Sequence, residues 1–362
     1  MSIEILVGDC RKVIDSLPDK HFNTCVTSPP YWGLRDYQTG TWEGGDPDCP
    51  HMRTTKIGKT VKTTTGHQAM HDQGNVVGDA IYKSECPKCG AVRKDLQIGL
   101  EETPDEYVKS IVNVFKGVWR VLRDDGTVWL NLGDSYCGTG HKGEHKDPKH
   151  KEGRNAQGTA INNKIEGLKQ KDLVGIPWRV AFALQADGWY LRQDIIWNKP
   201  NPMPESVQDR CTKAHEYIFL LSKNKKYYYD NVSIREDVKQ DWGTRDRSKG
   251  KYHNEGTGLQ PHSGLEKSYE TKNKRSVWTI SPKPYKEAHF AVYPTELIEP
   301  CILAGCPVNG NVLDPFGGSG TTGLVADRHN RNATLIELNE DYAEICKKRL
   351  MDDAPLFSSV SV

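Results

Sequence analysis

The sequence predicts an α/β fold, a doubly wound and mostly parallel sheet of the Rossmann-like kind, from three observations. Short apolar runs alternate with helical patterns along much of the chain. A glycine-rich loop, Asp314-Pro-Phe-Gly-Gly-Ser-Gly-Thr-Thr-Gly323, follows one such run and opens a helix. Another run, Asn23 to Thr27, ends in Ser28-Pro29-Pro30-Tyr31, which puts polar and aromatic groups at a sheet edge.

The elements follow in order. Glu4 to Val7 reads as a short strand ending in Gly8-Asp9, Cys10 to Leu17 as a helix and Thr24 to Thr27 as the next strand. Thr103-Pro104-Asp105-Glu106 opens a helix, with Thr103 as N-cap, Pro104 in the first turn and Glu106 completing a capping box. Tyr107, Ile111, Val114, Phe115 and Val118 share its apolar face. Asp124-Asp-Gly126 is expected to stop that helix before a buried strand, Thr127 to Leu132. A helix from Ile176 to Asp187-Gly188 precedes strands at Gln193–Trp197 and Glu216–Leu221. Toward the C-terminus come a helix at Thr295–Ala304, a strand at Asn311–Leu313, the glycine loop with its helix, and a strand at Ala333–Glu337.

Three polar segments interrupt this alternation. Residues 40–98 are rich in Thr, Gly, Lys and His, with Cys pairs at both ends. Residues 137–173 carry almost nothing apolar and read as a mobile loop. Residues 228–286 are basic, with Trp242, Tyr252, Tyr269 and Trp278 interspersed. The core is therefore expected in four parts, 1–39, 99–136, 174–227 and 287–350, followed by a frayed tail at 351–362.

Composition narrows the class. The 362 residues are 36% hydrophobic and 27% charged, with a mean hydropathy of −0.68. No apolar run approaches the roughly 18 residues of a membrane span. The start, MSIEILVGDC, reads as a strand and not as a signal peptide, so a cytoplasmic protein without membrane association is expected. Ten cysteines among strand and helix patterns read as reduced thiols plus a metal site. The net charge is +1, but residues 141–171 carry a local +4 and residues 223–286 a local +7. Basic segments on an acidic body fit a polyanionic partner; merely solvated loops are the alternative.

The motifs carry specific chemistry. Prolines fix φ and lack N–H groups, so Pro29-Pro30 makes a rigid turn whose carbonyls can face a ligand. The Ser28 hydroxyl and the Pro29 carbonyl can accept both N–H groups of one planar amine, while Tyr31 stacks on the ring that bears it. A Pro-Pro turn that only closes a strand is the alternative. Gly318, Gly320 and Gly323 satisfy a dinucleotide-binding fingerprint, and Glu337 follows at the distance of a ribose-binding acid. That pattern points to a nucleoside; a glycine turn for helix packing is the alternative. Cys86-Pro-Lys-Cys89 with Cys49 and one of His51, His67 or His71 could form a structural zinc site, the set favoured being Cys49, His51, Cys86 and Cys89. Free thiols on a loop are the alternative there.

The D-P-F-x-G-S-G-T loop and the S-P-P-Y turn, in that permuted order, resemble the class β DNA amino-methyltransferases, which use S-adenosylmethionine to modify cytosine N4 or adenine N6. The resemblance covers most of the α/β pattern. It implies that Asp314, Phe316, Gly318 and Gly320 hold the methionine part of the cofactor, Glu337 its ribose and Asp9 its adenine. Phe290 and Pro294, in Phe290-x-x-Tyr293-Pro294-x-Glu296, are similar to the family's motif at the methionine carboxylate, and Asp194 to Pro204 resembles its loop beside the target pocket. Ser28, Pro29, Pro30 and Tyr31 are implied as catalytic, acting on a base flipped out of the duplex and stacked on Tyr31 and Trp32. A serine in the first motif position tilts the target toward cytosine N4, with adenine N6 the runner-up.

The resemblance also implies double-stranded DNA as partner, compatible with a homodimer, in the setting of restriction–modification. Residues 228–286 are then expected to recognise the target, the loop at 137–173 to close on phosphates, and the insertion at 40–98 to be a zinc module that the family core does not share. Rival readings are a methyltransferase of RNA or of a protein glutamine, a catalytically inactive nucleic-acid-binding module, and a nicotinamide oxidoreductase.

Overall fold

The computed structural model describes residues 1–33, 37, 39–51, 85–138, 165–238, 270–283, 292–353 and 359–361. The first elements are β1 (Ser2–Val7), α1 (Cys10–Ser16), β2 (Phe22–Thr27), β3 (Thr41–Glu43) and β4 (Val92–Lys94). Then come α2 (Pro104–Val121), β5 (Leu122–Leu132), α3 (Ile176–Ala186), β6 (Tyr190–Asn198) and β7 (His215–Ser222). β8 (Glu236–Asp237), β9 (Thr271–Lys272) and β10 (Val277–Thr279) follow. The C-terminal part holds α4 (Thr295–Gly305), β11 (Asn311–Asp314), α5 (Thr321–Arg328), β12 (Asn332–Glu337), α6 (Glu340–Asp353) and β13 (Ser359–Ser361).

Nine strands form one sheet in the order β10-β6-β7-β5-β2-β11-β12-β1-β13. Every neighbouring pair is parallel except the two that involve β7, which runs against both β5 and β6. One face packs on α1, α2 and α3 through residues such as Ile14, Ile111, Phe115 and Val180; the other packs on α4, α5 and α6 through Leu297, Ile302, Leu324 and Cys346. Strands covered on both sides are buried on both faces, which is why β5 from Gly126 to Leu132 and β11 from Val312 to Asp314 are continuous buried runs. The expected α/β fold is the observed one.

The helix starting at Thr103 has the expected capping box: Thr103 Oγ1 accepts from the Glu106 N–H at 3.2 Å and the Glu106 carboxylate accepts from the Thr103 N–H at 3.2 Å. Its end differs from expectation. α2 gives way directly to β5 at Leu122, and Asp124-Asp125-Gly126 lies inside that strand as an irregularity. Leu122 is fully buried opposite Phe22, so burial draws the chain into the sheet before the polar triplet, whose extra residues bulge toward solvent.

The C-terminal tail also differs. α6 extends to Asp353, held by the buried stripe Ala343, Cys346 and Leu350, and residues 359–361 add a parallel edge strand to β1 instead of fraying. Part of the basic segment at 228–286 joins the core sheet as well: β10 pairs with β6 and buries Trp278. Trp242, Tyr252 and Tyr269 lie outside the described residues, as do residues 139–164 of the 137–173 loop. The ends of that loop are pinned, with the Cys137 N–H donating to Asp172 O at 2.8 Å and the Val174 N–H to Ser135 O at 2.9 Å.

Candidate active site and thiol cluster

Sheet order decides what meets at the carboxyl edge. The chain leaves β11 toward β12 on one side, while β2 lies on its other side, so β11 and β2 flank a switch point where a crevice forms. Along that edge, from β6 to β1, stand Lys199, Glu216, Asn131, Ser28, Asp314, Glu337 and Asp9. Glu216 reaches this edge because β7 is antiparallel and presents its first residues where the other strands present their last.

A cavity of about 440 Å³ runs along the edge and is lined from both sides of the switch point. Ser28, Pro29, Pro30 and Tyr31 form one part of its wall; Phe316, Gly318, Glu337 and Asp9 form another. Asp314, Gly320 and Pro294 are not among the cavity's lining residues. Phe290 lies outside the described residues.

Asp314 is fully buried and acts as the brace between the two motifs. Its carboxylate accepts from Thr27 Oγ1 at 2.5 Å, Thr322 Oγ1 at 2.5 Å, Tyr293 Oη at 3.1 Å and the Phe316 N–H at 3.0 Å. Burial pushes its pKa up, and those four donors push back. Gly318 and Gly320 take positive φ of 51° and 77°, and a Cβ on Gly320 would sit 2.4 Å from Cys346 Sγ, so the loop requires glycine there. Pro294 caps the start of α4.

Glu337 accepts from the Gly318 N–H at 2.8 Å and the Asn339 N–H at 2.9 Å, which holds its carboxylate against the glycine loop. Burial lifts its pKa above the ordinary value, opposed by those two N–H groups. Asp9 caps α1 and takes the Arg11 guanidinium at 2.8 and 3.0 Å, so its carboxylate is already paired where it meets the cavity. Cys10, beside it, stays a neutral thiol because burial pushes it up to about 12. That rules it out as a ready nucleophile.

The Ser-Pro-Pro-Tyr turn sits in a network that sequence reading did not foresee. Asn131 Nδ2 donates to Tyr217 O at 3.0 Å and to Glu216 Oε2 at 3.3 Å, so its Oδ1 must face Ser28 and Tyr31. Tyr31 Oη has Glu216 Oε2 at 2.7 Å and Asn131 Oδ1 at 3.0 Å, and its single proton goes to the nearer, charged acceptor. Burial and the adjacent carboxylate hold the Tyr31 hydroxyl well above its usual pKa, so it remains a donor. Ser28 Oγ lies 3.2 Å from Asn131 Oδ1 and donates its proton there. Its lone pairs are thereby left for a ligand. Lys199 forms an ion pair with the other oxygen of Glu216.

Packing fixes the turn as well. Tyr107 Oη donates to Pro30 O at 3.0 Å. A Cβ on Gly133 would lie 2.5 Å from the Tyr31 ring, so Gly133 makes room for it. Trp32 is not a stacking platform: it is 2% exposed in the core, with Nε1 donating to Glu101 O at 2.9 Å. Asn131 was legible as an isolated amide in an apolar run, and Glu216 as an acid opening a buried strand. Nothing in the sequence links the two.

The thiol cluster assembles beside β3 and β4. Donor atoms of Cys49, His51, Cys86 and Cys89 lie within 4.8 Å of one another. Cys49 Sγ is 3.8 Å from Cys86 Sγ, and Cys89 Sγ is 3.5 Å from His51 Nδ1. Tetrahedral zinc, with bonds of about 2.3 Å to sulfur and 2.0–2.1 Å to nitrogen, has edges of about 3.8 Å for S···S and 3.6 Å for S···N. The donors fit such an ion in chemistry and in these two edges. The His51 ring stacks on Trp42 at 4.3 Å, which sets its orientation. His67 and His71 lie outside the described residues.

A family model described as DNA methylase matches residues 22–348. The Type II methyltransferase M.SmaI of Serratia marcescens is 41% identical over 353 residues, covering 97% of this chain and 91% of that protein. M.Cfr9I of Citrobacter freundii is 39% identical over 346 residues, covering 96% and 87%. In fold, the chain is similar to the PvuII DNA methyltransferase (cytosine-N4-specific), with a TM-score of 0.56 and 17% identity over 98% of this chain and 89% of that one. It is also similar to a putative DNA modification methylase from Thermus thermophilus complexed with S-adenosyl-L-methionine, with a TM-score of 0.52 and 19% identity over 99% of each chain. Among the described residues no helix is long and apolar enough to cross a membrane.

Proposed function

Because this chain belongs to the N6/N4 DNA methylase family, we propose that it methylates the N4 amine of a cytosine at a specific site in double-stranded DNA, with S-adenosylmethionine as donor. One observation carries the reading: the glycine loop with Glu337 and the Ser28–Tyr31 turn line a single cavity. A nucleoside-binding half and an amine-holding half that share one space can bring a methyl group to a base.

S-adenosylmethionine supplies an electrophilic methyl group on a sulfonium. The residues do the rest by position and polarity. Glu337 takes the ribose hydroxyls, the glycine loop and Phe316 border the methionine part, and Asp9 lies toward the adenine. Ser28 Oγ, with its own proton held by Asn131, and the Pro29 carbonyl accept the two N–H groups of the target amine. Accepting both favours a pyramidal nitrogen whose lone pair faces the methyl. The neutral thiol of Cys10 fits direct transfer without a covalent enzyme intermediate. The flipped base lies against Tyr31, whose ring orientation is set by Glu216 and Gly133.

Serine at the head of the motif supports cytosine over adenine, and so does the named specificity of the PvuII enzyme whose fold this chain shares. The basic segments at 141–171 and 223–286 suit phosphate contact, which makes DNA binding weaken steeply with salt. Cys49, His51, Cys86 and Cys89 hold one structural zinc ion in this reading.

Nucleoside mass spectrometry of DNA incubated with the protein and S-adenosylmethionine tests the reaction. N4-methylcytosine is the expected product. N6-methyladenine would overturn the choice of base, and an absence of any methylated nucleoside would overturn the reaction itself.

A further inference from the structure

The geometry points to a second role for the cysteine–histidine cluster: its metal ion holds one wall of the S-adenosylmethionine cavity in place, so that metal loading governs cofactor affinity. The inference rests on the reading of that cavity as the cofactor site.

β3 and β4 form an antiparallel ribbon of three residues per strand, with Thr41 opposite Lys94 and Glu43 opposite Val92. At the Glu43/Val92 end the chain runs into Cys49, His51 and the Cys86–Cys89 knuckle. At the Thr41/Lys94 end it runs into Thr39 on one strand and Leu96 and Gln97 on the other, all of which line the cavity together with Tyr37. The ribbon therefore has the thiol cluster at one end and the cavity wall at the other.

Packing alone does not explain why this ribbon holds. Thr41, Glu43, Val92 and Lys94 are exposed, and Trp42 and Arg93 are half-buried. Among the described residues of the module before Gln97, the buried apolar side chains are Cys86 and Ala91, and the Arg93 side chain is covered in its ion pair with Asp95. A two-stranded ribbon without an apolar face is marginal in water. Four converging metal ligands are the missing crosslink, since metal binding free energy serves as folding free energy in modules of this kind.

The wall is wired to the ribbon by short bonds. Asp95 accepts from Thr39 Oγ1 at 2.7 Å, from Arg93 Nη2 at 3.0 Å and from the Gln97 N–H at 3.0 Å. Gln97 Oε1 accepts from the Tyr37 N–H at 2.7 Å. Arg11 links the wall to the core, donating to Leu96 O at 2.8 Å and to Asp9. Opening the cluster frees the strands that carry Thr39 and Asp95. The cavity then loses its fixed wall while the sheet, whose core is built without β3 and β4, stays folded.

The test uses the full chain, purified under reducing conditions. Zinc analysis is expected to give one ion per chain. Calorimetry with S-adenosylmethionine is then run on the loaded protein, after stripping with EDTA, and after re-adding zinc chloride. Stripping should raise Kd at least tenfold, re-addition should restore it, and far-UV circular dichroism should barely change. Cys89→Ser should bind less zinc and reproduce the weaker binding. Protein that purifies without metal would overturn the site. Loss of zinc with Kd unchanged would overturn the coupling, and so would a collapse of the dichroism signal on stripping, which would mean that the metal supports the whole fold. Failure of loaded protein to bind S-adenosylmethionine would sink the cofactor reading of the cavity, and the coupling with it.

Discussion

On the proposed cofactor side of the cavity, Asp314 is a fully buried carboxylate and Glu337 a part-buried one, met by backbone N–H groups and neutral hydroxyls. On the target side, Glu216 is met by a lysine ammonium and a tyrosine hydroxyl, and Asn131 by groups from β7. The donors to Glu337 come from the glycine loop and from two residues beyond it in the chain. The target network draws on β2, β5, β6 and β7, whose residues lie up to 185 positions apart in a single hydrogen bond. The Glu337 end of the cofactor half is thus local, its bonds spanning 19 and 2 positions, while Asp314 is tied across the switch point to Thr27 of β2 by a bond spanning 287. The target half exists only because the sheet has this strand order. The difference predicts separable functions: damage on one side should spare the other.

Ser28→Ala gives the largest separation. Losing the hydroxyl that accepts from the amine should lower kcat by about 10²- to 10³-fold, the range for removing one preorganised polar group at a reacting centre. The Kd for S-adenosylmethionine should stay within about twofold, because binding there does not need the target-side hydroxyl. An equal loss in both would break the division between the halves.

Glu337→Gln should do the reverse, raising the Kd for S-adenosylmethionine by about 10- to 100-fold through loss of charge-assisted bonds to the ribose. Saturating cofactor should restore most of kcat. The pH dependence sharpens this test. Burial raises the pKa of Glu337 in the free protein, and ribose donors, by favouring the carboxylate, lower it in the complex. Affinity is therefore fully present above the raised free-protein pKa and lost as pH falls through it toward the pKa of the complex. Calorimetry across that range should show this loss in the native chain and a flat profile in the glutamine variant.

Glu216→Gln is the mildest of the three. The amide still accepts from Tyr31 but no longer balances Lys199, so Ser28 and Tyr31 lose definition without losing their groups. A fall in kcat of roughly fivefold to tenfold is expected, about 1–1.4 kcal/mol, with cofactor affinity unchanged. A rise in the Kd for S-adenosylmethionine would show that the two halves communicate through Tyr31.

Legibility tracked chain locality. The glycine loop, Glu337, the Ser-Pro-Pro-Tyr turn and the α2 capping box are each written in a few consecutive residues or at a fixed short spacing, so local chemistry reveals them. Trp32 misled because an aromatic next to the turn looks like a stacking surface, while the fold turns it inward to Glu101. α6 carries a polar sequence in which only Ala343, Cys346 and Leu350 are buried, a stripe too narrow to stand out. The Asp-Asp-Gly triplet looked like a helix stop, but long-range burial of Leu122 overrode it.

By itself the sequence determined the α/β class and singled out the glycine loop, the Ser-Pro-Pro-Tyr turn and the cysteines of the thiol cluster, with its histidine left among His51, His67 and His71, since hydrophobic period, backbone permission and donor chemistry act over short spans. Tertiary structure alone decided that Asn131, Glu216 and Lys199 stand behind Ser28. It also decided that a small exposed ribbon joins the thiol cluster to the cavity at the carboxyl edge. Those are facts of strand order and direction. An antiparallel β7 beside β5 and a module folded against α1 bring distant residues within hydrogen-bond reach, and no local pattern encodes that meeting.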